Sequence, residues 1–168
     1  MRAKMGGFVP VPDDIEVTVI RTPEAMQDAL SVRYRVFVEE QHVPIEEEVD
    51  AFDDRPGERE DVVHVLVRLG GQPAATARLL LGHHAGEGGG YPHIGRVAVL
   101  AEHRTTGLGR VVMEALHEEA RARGERGITL SAQLHAIAFY ERLGYVARGP
   151  VYLDAGIEHR DMDYVFEE

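Results

Sequence analysis

His103-Arg104-Thr105-Thr106-Gly107-Leu108-Gly109-Arg110 follows a short apolar run, Val97-Ala98-Val99-Leu100, and opens an amphipathic segment that continues to about Gly124. The order is strand, glycine loop, helix start. The first backbone N–H groups of a helix have no partner inside it, and the helix dipole adds partial positive charge there. Gly107 and Gly109 carry no Cβ, so a phosphate can approach the backbone closely. Arg104 and Arg110 can add charge-assisted hydrogen bonds. No Gly-Lys-Ser/Thr follows, so this is not the nucleotide P-loop. Nor does it fit the dinucleotide fingerprint, which requires a third glycine and an acidic residue ~20 positions on.

Upstream of this stretch, residues 91–99 read as a strand in which Gly95 marks a bulge or a close backbone approach. Downstream, Leu108, Val111, Val112, Ala115, Leu116 and Ala120 form the buried stripe of a helix over residues 107–123. A strand follows over 127–133, then a short helix over 135–143. The last two strands fall at 145–148 and 160–166, joined by a loop that carries Asp154, Glu158 and His159. Towards the N-terminus, residues 1–14 hold Gly6, Gly7, Pro10 and Pro12 and read as a flexible arm. Residues 15–20 alternate and are β-branched, a first strand. Thr22-Pro23 supplies an N-cap and a proline at the first helical position, and the helix should run to about Glu40.

Residues 41–59 are acidic and loop-like, either solvated or facing a substrate. Strands at 61–68 and 74–81 are joined by the hairpin turn Gly70-Gly71-Gln72-Pro73. The glycine-rich loop over 82–90 contains His83-His84, without a third ligand at a spacing useful to a metal. Strands interspersed with helices predict an α+β fold, a mixed central sheet covered by helices, in a single domain over residues 15–168.

Composition narrows the function. At 168 residues one core is expected. There is no apolar run of ~18 residues to span a membrane, and the first residues lack an apolar signal core, so a cytoplasmic protein is expected. The absence of cysteine removes disulfides, thiolate metal sites and a cysteine nucleophile. Eighteen Lys and Arg against 29 Asp and Glu give a formal charge of −11, which disfavours nucleic acid and either suits a cationic small molecule or serves solubility alone.

A second stretch sharpens the reading: Ala136-Ile137-Ala138-Phe139-Tyr140-Glu141-Arg142-Leu143-Gly144-Tyr145. Together with Val97-Ala98-Val99 and Arg104-x-x-Gly107-x-Gly109, in this order and spacing, it resembles the GNAT acyltransferase superfamily. Arg33-Tyr34-Arg35-Val36-Phe37-Val38-Glu39-Glu40-Gln41, Asp50-Ala51-Phe52-Asp53 and Gly156-Ile157-Glu158-His159 are similar to its ElaA-like branch, so the resemblance runs from about residue 15 onward. It implies a mostly antiparallel sheet with a splayed strand pair, and acetyl-CoA as co-substrate. Val97, Ala98 and Val99 would pair with the pantetheine arm through their backbone. Arg104, Thr105, Thr106, Gly107, Leu108, Gly109 and Arg110 would hold the pyrophosphate. Gln133 stands near where the family often has an asparagine that contacts the coenzyme.

Amine acylation needs a neutral amine, donors for the developing oxyanion, and a donor to the leaving thiolate. Without cysteine, direct transfer to a small-molecule amine is the natural route. The resemblance makes Tyr140 the donor to sulfur. For the base, His64, His93, His159 and Glu39 are candidates, and His159 lies in the Gly-Ile-x-His pattern near where acceptors enter. A homodimer is compatible with this reading. The alternatives are a non-catalytic acyl-CoA sensor and an enzyme like the acyl-homoserine-lactone synthases, against which the intact Arg-x-x-Gly-x-Gly loop argues.

Overall fold

The computed structural model describes residues 14–82 and 90–167. The expected N-terminal arm, apart from Asp14, and the His83-His84 loop lie outside the described residues. The strands are β1 (Ile15–Val19), β2 (Val62–Leu69), β3 (Gln72–Leu80), β4 (His93–Val99), β5 (Gly127–Gln133), β6 (Val146–Asp154) and β7 (Ile157–Val165). They form one seven-stranded sheet in the order β1-β2-β3-β4-β5-β7-β6. Every neighbouring pair is antiparallel except β4 and β5, which run parallel. The element order led to the expectation of a mixed α+β sheet, and the resemblance to that of a mostly antiparallel one; both are what is found.

Helices α1 (Pro23–Arg33) and α3 (Leu108–Ala122) cover opposite faces of this sheet. The strand alternation sorts the core. Val63, Val65 and Val67 of β2 and Ala75, Ala77 and Leu79 of β3 pack with Leu108, Val112, Met113 and Leu116 of α3. Leu66 points the other way, onto Met26 and Ala29 of α1. Burial on both faces explains why β2 and β3 read as nearly continuous apolar runs. Thr22 caps α1 by accepting from the Ala25 N–H at 3.2 Å. Among the described residues no helix is long and apolar enough to cross a membrane.

Two segments depart from the sequence reading. Past Arg33 the expected single helix widens into a π-helical stretch, Tyr34–Glu40. Such turns shift the following side chains relative to a regular helix and often lie at functional sites. The expected loop between the last strands is instead a tight hairpin. β6 runs on to Asp154, turns through Ala155 (φ 52) and Gly156 (φ 76), and returns at Ile157. Positive φ at both central residues is the geometry of the commonest two-residue hairpin. β6 contains Gly149 and Pro150, which an edge strand tolerates. It absorbs them in an irregularity between Arg148 and Tyr152, where a proline's missing N–H costs no ladder bond.

Candidate active site

β4 and β5 touch only at His93↔Thr129 and Ile94↔Leu130 before they diverge. The gap between them opens a cleft of about 800 Å³. Of the residues singled out from the sequence, Val97, Val99, Arg104, Thr105, Gly107, Gly109, Arg110, Gln133, Tyr140 and His159 all line it. Ala98, Thr106 and Leu108 do not. Ala98 is buried with Val32, Val36 and Leu100 on the α1 face, and Leu108 is buried under α3. The Thr106 hydroxyl bonds the His103 carbonyl.

The β4 edge is readable by alternation. The Leu100 N–H bonds the Ala74 carbonyl and Ala98 pairs with Thr76, so the backbone groups of Val97 and Val99 face away from β3, into the gap. The Val99 carbonyl accepts from Arg104 Nε at 3.0 Å. The guanidinium of Arg104 is completed by Glu40, in a bidentate pair at 2.8 and 2.9 Å. Gln133 exchanges amide bonds of 2.9 and 3.2 Å with Gln41. Arg104 and Gln133, two of the residues expected to meet the coenzyme, are thus held by consecutive residues at the end of the π-helical stretch. Gln41 had no sequence signal beyond its place in that segment.

The glycine loop delivers α3. Gly107 is left-handed (φ 90), and a Cβ there would meet nothing within 4 Å, so the space above it is open. A Cβ on Gly109 would come within 3.1 Å of the Phe139 ring. No side chain caps α3. The first helical N–H groups therefore stay available to an anion, beside Arg104 and Arg110. This open cradle, with Val97, Val99, Ala136, Phe139 and Leu143 as apolar lining, fits a nucleotide-tailed thioester.

Tyr140 on α4 (Ile137–Arg142) is buried against Phe139 and Tyr145. Its hydroxyl has no hydrogen-bond partner among the described residues. Burial pushes its pKa well above the ordinary tyrosine value, so it keeps its proton. His159 stands on β7, in a strand rather than a loop, and is buried on the cleft wall. Its Nδ1 donates to the Ile157 carbonyl at 2.7 Å, and its Nε2 has no hydrogen-bond partner among the described residues. His93 also lines the cleft, and burial lowers its pKa. His64 is set apart: it bonds the Phe52 carbonyl at 2.9 Å on the α1 face, and burial lowers its pKa. Neither His64 nor Glu39 lines the cleft. Ser131, Tyr152 and Asp161 form a hydrogen-bonded group of which Ser131 lines the cleft, a feature the sequence did not reveal.

The acidic segment is neither a solvated loop nor a bare substrate face. Helix α2 (Ile45–Glu48) and a 3-10 turn (Ala51–Asp53) fold it onto the α1 face of the sheet. Arg33, nearly inaccessible, donates from Nε to Glu48 at 2.7 Å and from both terminal nitrogens to Asp53 at 2.7 and 3.0 Å. Arg78 donates to Asp50 at 2.7 Å and to Asp53 at 3.2 Å. Arg96 reaches Glu48 at 3.2 Å and Asp50 at 3.4 Å. Burial alone would raise the pKa of Asp50 and Asp53, but hydrogen bonds and charge from Arg78 and Arg33 hold both below the usual carboxylate range. Glu48 is pushed up, because burial exceeds the opposing pull of Arg33 and Arg96. Three carboxylates therefore meet three guanidinium groups, leaving Glu47 and Asp154 as the acids on the cleft wall without an ion-pair partner among the described residues.

A family model described as the acetyltransferase (GNAT) family matches residues 24–145. The uncharacterized N-acetyltransferase YjcF of Bacillus subtilis is 36% identical over 149 residues, 88% of this chain and 98% of its own. An acyl-CoA N-acyltransferase from Pseudomonas aeruginosa, known from its crystal structure, is 32% identical with a TM-score of 0.74, over 90% of this chain and 99% of that one. Escherichia coli ElaA is 26% identical with a TM-score of 0.75, over 89% and 99%. With the splayed strands and the anion-ready helix start already in place, these likenesses settle the family: the chain belongs to the GNAT acetyltransferases and is an acyl-CoA-dependent N-acetyltransferase.

Proposed function

We propose that this enzyme moves an acetyl group from acetyl-CoA directly to a small cationic amine. One observation carries the reading: a single cleft is lined both by the N–H-rich start of α3, where Arg104 pairs with Glu40 and Arg110 with Glu114, and by the carboxylates of Glu47 and Asp154. Gly107, Gly109, Arg104 and Arg110 hold the pyrophosphate. The Val97 and Val99 backbone holds the pantetheine arm, and its N–H groups face the charge that develops on the thioester oxygen. His159, through Nε2, takes the amine proton. Tyr140 donates to the departing sulfur. No cysteine is present to carry the acyl group, so the power of the site is mostly positioning.

The coenzyme site is tested by Gly109→Val. The new side chain would enter the cradle and press on the Phe139 ring, which already lies 3.1 Å from a Cβ built there. Acetyl-CoA affinity should fall at least about tenfold, roughly 1.4 kcal/mol, in a folded variant. Calorimetry that gives unchanged affinity would place the pyrophosphate elsewhere.

The acceptor is tested by a thiol-release assay over polyamines, amino acids, aminoglycosides and peptide N-termini. The best substrate should be cationic, and its apparent affinity should weaken as salt rises, because exposed charges are screened. A best substrate that is anionic and gains affinity in salt would contradict the acceptor assignment. Tight acetyl-CoA binding with no turnover of any amine would favour a sensor.

A further inference from the structure

The bulge expected near Gly95 exists, but its strain falls one residue later. Thr76 pairs with Ala98 and Arg78 with Gly95, so Arg96 and Val97 together face Ala77. Arg96 takes φ 54, the left-handed region, which a residue with a Cβ adopts at a cost of about 1–3 kcal/mol unless its surroundings impose it. The surroundings do so here. Arg96 Nε and a terminal nitrogen bond the Glu48 carbonyl at 3.1 and 3.0 Å, and the terminal nitrogen also reaches the Glu47 carbonyl at 3.3 Å. The Glu48 and Asp50 carboxylates lie at 3.2 and 3.4 Å. Those acids are themselves fixed by Arg33 and Arg78. The side chain is thus moored to a rigid frame on the α1 face, while its backbone turns the next peptide.

That next peptide carries the Val97 N–H. We propose that Arg96 is a positioning residue: its mooring to the 45–53 segment holds the β4 bulge so that the Val97 N–H points into the cleft at the reacting carbonyl. This rests on the reading of β4 as the donor strand. Relaxed to ordinary extended backbone, β4 would lose the extra residue from its register with β3 and turn this donor aside. The acidic segment then has a purpose beyond stability, since it clamps the strand that performs the chemistry.

A guanidinium that only balanced charge would leave a different trace, and two substitutions separate the cases. Arg96→Ala removes the mooring and keeps the Cβ that disfavours left-handed backbone. Arg96→Gly removes the mooring and that penalty together. Both lose the same charge, and in both Arg33 still holds Glu48 and Arg78 still holds Asp50. In Arg96→Ala, kcat should fall at least about tenfold, within the range of a lost oxyanion donor, and more than acetyl-CoA affinity does. Arg96→Gly should recover to within about threefold of the parent, a residual of well under one tenfold step. Amide signals of Val97 and Val99 in nitrogen-15 spectra should move in the alanine variant and return in the glycine variant. Equal rate losses in the two variants, an unmoved Val97 amide in Arg96→Ala, or a moved amide with an unchanged rate would each overturn the proposal. If the parent acylates no amine, the functional reading fails by itself, and the amide spectra still decide whether Arg96 sets the bulge.

Discussion

Arg33→Met is expected to lower the unfolding free energy by about 3–5 kcal/mol, the cost of orphaning buried charges. For a chain of this size that is a fall in Tm of roughly 6–20 °C. The methionine keeps much of the volume but none of the donors. Glu48 would lose its 2.7 Å partner and Asp53 its bidentate one, both at sites almost closed to water. Arg78 and Arg96 would still touch these acids, so the variant should fold at low temperature. Adding Glu48→Leu should recover part of the loss, because an apolar side chain there leaves no unpaired charge. The pH dependence has a definite sign. Asp53 has a depressed folded-state pKa, so its contribution is complete above the unfolded value near ~4 and disappears as pH falls through the folded value. The stability gap between parent and variant should therefore narrow below about pH 4, where protonation relieves the orphaned carboxylates. Chemical denaturation across pH measures this, and a gap under about 1 kcal/mol at neutral pH would mean the network is an ordinary surface cluster.

The same network marks where sequence reading stopped. The glycine loop, the strand before it and the Phe-Tyr-Glu helix were legible because each rests on local chemistry: a helix start needs open N–H groups, and a glycine leaves room beside them. β5 fell at its expected residues because Ile128 and Leu130 follow a glycine and alternate with polar positions. Glu48, Asp50 and Asp53 looked like loop acids because their partners are 15 to 48 residues away in sequence. No periodicity couples Arg33, Arg78 and Arg96. Only the sheet register sets Arg78 opposite Gly95 and brings all three to one face. The π-helical stretch was illegible for a related reason. Val36 and Phe37 satisfy an α-helical face nearly as well, and the wider turn is fixed by what Glu40 and Gln41 reach across the cleft. The hairpin at Ala155-Gly156 was missed because Asp154, Glu158 and His159 read as loop residues, whereas they lie in or at the end of two paired strands.

Electrostatics shifted in the same way. The formal charge of −11 suggested a broadly acidic acceptor face. The folded chain neutralises the middle of that face and leaves Glu47 and Asp154 beside the cleft. The proposed preference for a cationic amine therefore depends on two carboxylates rather than on bulk charge. It should accordingly be more local, and more easily altered by single substitutions, than the composition implied.

Tyr140→Phe should lower kcat by about tenfold to a hundredfold, at or below the low end for a general acid, because a thiolate already leaves moderately well. The substitution keeps the ring, and the ring is what the core uses: its neighbours are Phe139 at 5.1 Å and Tyr145 at 5.8 Å between centroids. The hydroxyl bonds none of the described residues, so its removal breaks no internal hydrogen bond and should leave Tm unchanged or slightly raised. Acetyl-CoA affinity should stay within about threefold, since one such hydrogen bond contributes on the order of 1 kcal/mol at most. Burial raises the Tyr140 pKa above its usual value of 10.0, so the parent should show no alkaline loss of kcat from this group below that pH. A structural role predicts the opposite pattern: stability falls and the rate holds. Single-turnover kinetics with the best amine, combined with thermal unfolding of both proteins, separates the two. If the phenylalanine variant acylates at the parent rate when chemistry is limiting, the proton for sulfur comes from another donor on the cleft wall.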